Sequence, residues 1–297
     1  MVCDKLPLVT DVWSFNAASE HAPKPRPITA KIVNAHFFAN GCHTVDMAKM
    51  KTEVLYQRTQ RFGIGLREKL IAYMPHYSPW LKKVPWLANL RDQIPGLPWV
   101  TEKVIGLSKD RRLPVWEGKY QEPAREPQTD LPTVILFGDT FNRSFETKNL
   151  YAARQVLEAM GYEVIEPKSG NRSVCCGRTF LAAGLIDQAK REAARFIETV
   201  MPWIRQGISV VGLEPSCLLT LRDEFQVLLP GDDARLLAQH AFLFEEFVEQ
   251  TLQAEDIELN LQSAKCSEVL VHGHCHQKAA RAMGIKVYIL YIFQKYF

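Results

Sequence analysis

The chain of 297 residues has 47% hydrophobic and 23% charged side chains, 16 Gly and 17 Pro, the composition of a globular protein of one or two domains. It is neither a disordered chain nor a small disulfide scaffold. A formal net charge of +3 and the lack of any aromatic-and-basic RNA motif argue against a nucleic-acid partner.

The opening MVCDKLPLVTDVW has no basic stretch followed by an apolar run, so no secretory signal is read there and a reducing, cytoplasmic compartment is expected. The seven cysteines then favour metal or redox chemistry over a disulfide framework. VYILYIF, the longest apolar stretch, is far too short to span a bilayer.

Residues 1–43 show no sustained period. The run His21-Ala-Pro-Lys-Pro-Arg-Pro reads as extended, since each proline keeps its predecessor out of the helical region. From Thr44, a candidate cap, Met47, Met50 and Val54 fall on one helical face, and the period resumes over 66–73, so 44–112 is read as a helical region. Between Arg67 and Arg112 nine Lys or Arg stand against four acids, interleaved with Trp80, Trp86 and Trp99. A basic, Trp-bearing segment suits a membrane surface or a partner subunit, and equally an ordinary packing layer with a solvated face. Residues 113–131, with Pro114, Pro123 and Pro127, read as a linker.

Beyond the linker the rhythm alternates strand and helix. Thr133–Gly138 is a nearly all-apolar run suited to a central strand, Lys148–Met160 a helix, and Glu163–Glu166 a strand. A long helix is expected from about Thr179, with Leu185, Ala189, Ala193, Phe196 and Val200 on one face. Ile208–Leu213 gives a strand, residues 217–227 and 234–250 give one helix each, and Glu268–His272 gives a fourth strand. The expected fold of 132–297 is α/β, a mostly parallel sheet with helices on both faces, preceded by the small helical region.

Four cysteines share a setting in this scheme. Cys175 and Cys176 precede a helix, and Cys217 and Cys275 follow strands, positions at which an open parallel sheet gathers its ligands. Helix N-termini there favour thiolate, the form that binds iron. The adjacent pair Cys175-Cys176, followed by Gly177, which lets the backbone approach closely, favours a multi-metal cluster over a closed zinc site. The plainer reading is buried small hydrophobes. His272, His274 and His276 flank Cys275, but alternating positions cannot all face one site, and zinc is the second choice of metal. Cys3, Cys42 and Cys266 have no spacing partner.

These residues carry a resemblance. NRSVCCGRTFLAAGL, VVGLEPSCLLTLRDEF and HGHCHQKA look like the cysteine-rich CCG domain of FAD-linked, iron–sulfur 2-hydroxyacid dehydrogenases, which include D-lactate dehydrogenases. The domain also occurs in glycolate oxidase iron–sulfur subunits, anaerobic glycerol-3-phosphate dehydrogenase subunits and heterodisulfide reductase. The match runs roughly from Asp46 to Met283. VDMAKMK, GLREKLIAYMP and LFGDTFNR resemble the segments joining the ferredoxin-like part of such proteins to the CCG domain.

The resemblance implies an electron-transfer component that passes electrons from flavin to a quinone or another acceptor. It implies an iron–sulfur cluster, of the 4Fe–4S type, on Cys175, Cys176, Cys217 and Cys275, with His274, His276 and Asp139 as accessory candidates and Gly177 beside the cofactor. The FAD is expected on another domain or subunit, and a peripheral place on the cytoplasmic membrane face follows from a quinone acceptor. Two departures stand out. Of the family's ferredoxin motif only Cys42 is present, and the family's second CCG motif is absent, so the chain is expected to be a truncated piece with foreign ends at 1–41 and 284–297. Asp139 stands where some relatives have cysteine. The competing expectations are a zinc-binding interaction module and a metal-free remnant.

Overall fold

The computed structural model describes residues 47–118, 120, 130–254 and 274–280. The leader 1–43, the Thr44 cap, the 268–272 strand, His272, Cys3, Cys42 and Cys266 lie outside them.

The helical region consists of α1 (Met47–Phe62), α2 (Leu66–Ala72), α3 (Met74–Leu81), α4 (Pro85–Asn89), a 3-10 turn (Leu90–Asp92) and α5 (Leu97–Ile105). Proline stands in the first turn of α3, α4 and α5, where its missing N–H leaves no intrahelical bond unmade. After a strap, residues 106–118, without helix or strand, come β1 (Thr133–Phe137), α6 (Thr140–Ser144), α7 (Thr147–Ala159), β2 (Glu163–Ile165), the two-residue strands β3 (Lys168–Ser169) and β4 (Arg172–Ser173), α8 (Arg178–Ala182) and α9 (Ile186–Ile204). They are followed by β5 (Val210–Gly212), α10 (Pro215–Arg222), α11 (Glu224–Leu228), α12 (Asp232–His240), β6 (Ala241–Leu243), α13 (Phe244–Ala254) and α14 (Cys275–Ala279).

The main sheet is four-stranded in the order β2-β1-β5-β6, and every pairing in it is parallel. Because strand side chains alternate between faces, β1 divides its residues between two cores. Ile135 and Phe137 join Phe180, Phe196, Leu218 and Phe225 on one face, while Val134 and Leu136 join Leu150, Leu157 and Phe247 on the other. Helices therefore cover both faces, as the alternation predicts. The connection from β1 to β2 runs over the second face through α7, and that from β2 to β5 over the first through α9. The carboxyl ends of β1 and β5 thus form a switch point, where adjacent connections part to opposite sides.

Three predicted helices are divided. The expected single helix from Thr179 breaks into α8 and α9 at Gly184 (φ +72°), where a Cβ would lie 2.6 Å from the backbone carbon of Leu55 on α1. That glycine turns the chain and lets α1 approach. The helix expected over 217–227 is interrupted at Asp223. The one expected over 234–250 contains β6, which pairs in register with β5; Leu237, Ala241, Phe244 and Val248 continue a helical spacing through a segment that the sheet claims. The CCG segment, too, follows the antiparallel hairpin β3–β4 and not a strand of the main sheet.

The helical region and the strap are docked on the sheet layer. The Thr179 hydroxyl donates to the Ala72 carbonyl at 2.9 Å, Tyr73 meets Phe180 edge-on at 5.1 Å, and His76 stands 2.9 Å from Glu192. In the strap, Asn89 exchanges two hydrogen bonds with the Trp116 backbone, and Thr147 N at the start of α7 donates to Glu117 at 2.7 Å. Buried Glu166, just past β2, accepts from Tyr120, Arg143 and Arg154, and Arg143 also donates to the Gly138 carbonyl at 2.8 Å. That network ties the end of β1 to the end of β2 and stiffens the edge on which the site is built.

Candidate functional site: a buried thiol cluster at the sheet switch point

A narrow cavity at the switch point is lined by Phe137, Asp139, Cys175, Cys176, Cys217 and Arg178, with Pro75 of α3 closing one side. The Cys176 thiol is close enough to those of Cys175 and Cys217 for each to shift the others' titration, and all three are buried. Gly177 N donates to Cys175 Sγ at 3.4 Å. Gly177 has φ +74°, and a Cβ there would lie 3.1 Å from the Ala189 carbonyl oxygen. Its close approach is to the backbone of α9.

Two carboxylates frame the thiols, each capping a helix. Asp139, fully buried, accepts from Phe141 N at 2.9 Å and Asn142 N at 3.1 Å to start α6. Burial and the neighbouring Glu214 charge push its carboxyl up to about 6. Glu214 accepts from Cys217 N at 2.6 Å to start α10, with Pro215 following as the first helical residue. Burial raises the Glu214 carboxyl too. Sequence reasoning missed Glu214, although Glu-Pro ahead of Ser-Cys is a helix-start pattern.

With no metal bound, all three thiols are held above the ordinary cysteine value. The neighbouring Cys176 thiol and burial push the Cys175 thiol well up, and burial does the same to Cys176. For Cys217 the Cys176 thiol lowers the value, but burial and the Glu214 and Asp139 charges outweigh it and leave the thiol raised. The free N–H that was to stabilise a Cys217 thiolate is already given to Glu214.

The fourth predicted cysteine does not join the other three. Cys275 is exposed in the first turn of α14, while its two histidine neighbours meet Arg178 of the cavity wall and Ser216 beside Cys217. His274 caps α14, its Nδ1 accepting from His276 N at 3.2 Å, and its Nε2 stands 3.3 Å from Ser216 Oγ. Arg178 Nη2 lies 2.9 Å from His276 Nε2. A guanidinium only donates, so His276 accepts there and carries its proton on Nδ1, which is buried without a partner among the described residues. Burial, then the Arg178 charge, lowers His276 to about 4, so it is neutral at pH 7. Among the described residues no group of three or more His, Cys, Asp or Glu is arranged to hold a metal ion as it stands.

Fold and cavity together define an α/β protein with a thiol-lined site at the switch point of a parallel sheet. The proteins it is similar to are named for 2-hydroxyacid metabolism. The chain is 22% identical to D-2-hydroxyglutarate dehydrogenase of Pantoea ananatis over 244 residues, 76% of this chain and 23% of that protein. It is 26% identical to lactate utilization protein A of Bacillus subtilis over 157 residues, 52% of this chain and 60% of the relative. The Escherichia coli D-2-hydroxyglutarate dehydrogenase is 19% identical over 250 residues, 80% of this chain and 23% of its own length. The aligned region thus spans about a quarter of the two dehydrogenases and 60% of the lactate utilization protein. No family model matches, and no solved structure matches.

Proposed function

We propose that this chain is an iron–sulfur electron-transfer component of a flavin-linked 2-hydroxyacid dehydrogenase system, with Cys175, Cys176, Cys217 and Cys275 as thiolate ligands. The observation that carries the reading is the contiguity of three buried thiols at a switch point, with a backbone N–H on the Cys175 sulfur. Soft thiolate donors select iron–sulfur clusters, and hydrogen bonds to the sulfurs tune their potentials. Similarity to a D-2-hydroxyglutarate dehydrogenase and a lactate utilization protein supports the substrate class.

When bound, the cluster supplies a one-electron acceptor and donor. The chain's own residues do the rest. Asp139 and Glu214 fix the starts of α6 and α10, Gly177 lets the thiol loop press against α9, and Phe137, Phe141 and Pro75 line the cavity with apolar surface. Ligation requires the three thiols to give up protons and Cys275 to turn inward from the start of α14. A flavin-bearing domain or subunit is the proposed electron source, and a quinone or similar acceptor the sink.

Anaerobic reconstitution followed by iron, sulfide and zinc analysis, with low-temperature EPR of oxidised and reduced protein, tests the reading. Iron and sulfide at about four each per chain, with a cluster signal, are expected. Zinc alone near one per chain would assign a structural metal module instead, and thiols that stay free of metal would overturn the proposal.

A further inference from the structure

The helical hairpin of α4, the 3-10 turn and α5 is built with inverted polarity. Its buried side chain is an arginine, while its tryptophans face out. Arg91, 6% exposed, donates to Thr101 Oγ1 at 3.0 Å, to the Arg111 carbonyl at 3.0 Å and to the Ser108 carbonyl at 2.6 Å. That polar staple fastens the inner side of α5 and the loop after it. Neither α4 nor α5 contains a buried residue. On α5, Trp99, Val100, Lys103 and Val104 are exposed, a spacing of i, i+1, i+4 and i+5 that forms one continuous outward face. Trp80 at the end of α3 is 68% exposed, Trp86 63%, Trp99 55% and Val104 67%.

The charge around this apolar surface is mostly positive, with Asp92, Glu102 and Asp110 as the acids among it. Lys83 Nζ lies 4.5 Å from the centre of the Trp80 ring, and Lys103 Nζ lies 5.8 Å from that of Trp99. Lys109, Arg111 and Arg112 follow, also exposed, and residues 67–112 hold nine basic side chains against four acids. Indoles carrying ammonium groups are suited to the headgroup level of a bilayer, where the ring is buried shallowly and the charge meets lipid phosphate. No described helix is long and apolar enough to cross a membrane, so contact would be in the interface plane.

We propose that this hairpin docks the chain on an anionic lipid surface, with Trp86 and the outward face of α5 entering the headgroup layer and the flanking cations pairing with lipid phosphates. The same helix that carries Trp80 carries Pro75 in the wall of the thiol cavity, about 8 Å away along its axis. A docked bilayer would lie beside the site. The inference stands without a bound metal, because the surface and the site use different residues.

The test is flotation of the full chain with vesicles of phosphatidylcholine alone and of phosphatidylcholine mixed with phosphatidylglycerol. The wild type is expected to bind the anionic vesicles at least about tenfold more tightly than the neutral ones, with the preference weakened by salt. The double variants Trp86→Ser/Trp99→Ser and Lys83→Glu/Lys103→Glu are each expected to lose about tenfold in binding to anionic vesicles. Val100→Ser/Val104→Ser replaces the tryptophan pair if circular dichroism shows that pair misfolded. No flotation, equal flotation with both vesicles, or folded variants that float like the wild type would overturn the proposal. So would sedimentation showing a dimer that the tryptophan variants dissociate, since a second copy would then cover the face. A failure here leaves the iron and sulfide result unaffected.

Discussion

Gly177 separates two effects that a single substitution usually mixes. Its φ of +74° penalises any Cβ, and the Cβ would also press on the Ala189 backbone, whereas Gly207, at φ +83°, opens on nothing within 4 Å. Gly207→Ala is expected to cost about 1 kcal/mol from conformation alone. Gly177→Ala should cost about 2 to 3 kcal/mol, because α9 must also shift. Urea denaturation of both variants checks this, and equal losses would show that the contact with Ala189 is slack. The motif Cys-Cys-Gly was legible as a close backbone approach, but the sequence could not say that the backbone of α9 is among what comes close.

At the scale of elements, α9 is the chief support of the first core. Phe196 is fully buried and meets Phe137 of β1 at 5.0 Å and Phe225 of α11 at 5.8 Å, both edge-on. Phe196→Ala is expected to destabilise by about 3 to 5 kcal/mol, and a loss below about 1 kcal/mol in thermal or urea unfolding would contradict this packing. Elements with clear signals were legible: β1 as an apolar run, α7 as a helix and α9 as an amphipathic stripe. The short strand β6 was not, because Ala241 and Phe244 satisfy a helical spacing with Leu237 and Val248 while pairing with β5 decides the outcome. The two-residue strands β3 and β4 are too short to carry any period. Three of the four site cysteines were legible as partners because sheet topology converges their loops. What could not be read was that Glu214 would take the Cys217 N–H and that burial would raise the thiols.

For the whole molecule, the joint between the helical region and the sheet layer includes one buried acid. Glu192 of α9 accepts from Arg172 at 2.7 Å and from Arg195 at 2.7 Å, and His76 of α3 stands 2.9 Å away. Burial alone would raise its carboxyl, but the hydrogen bonds from Arg195, Arg172 and His76 outweigh it and hold the value below the usual range. A lowered folded value means that the unfolded chain binds the proton more readily. The stabilisation is therefore fully present above about pH 4.5 and is lost as pH falls through the folded value. Glu192→Gln should cost about 2 kcal/mol at pH 7, and the gap from wild type should close in acid. A gap that stays constant down to pH 3 would remove Glu192 from the joint. The measurement that bears most directly on the account is the iron and sulfide content of Cys176→Ser beside the wild type after anaerobic reconstitution, with circular dichroism as the check on folding. The account predicts a folded variant that retains neither iron nor sulfide while the wild type holds both. A folded variant with wild-type content would contradict the central place given to the thiol at the middle of the cluster.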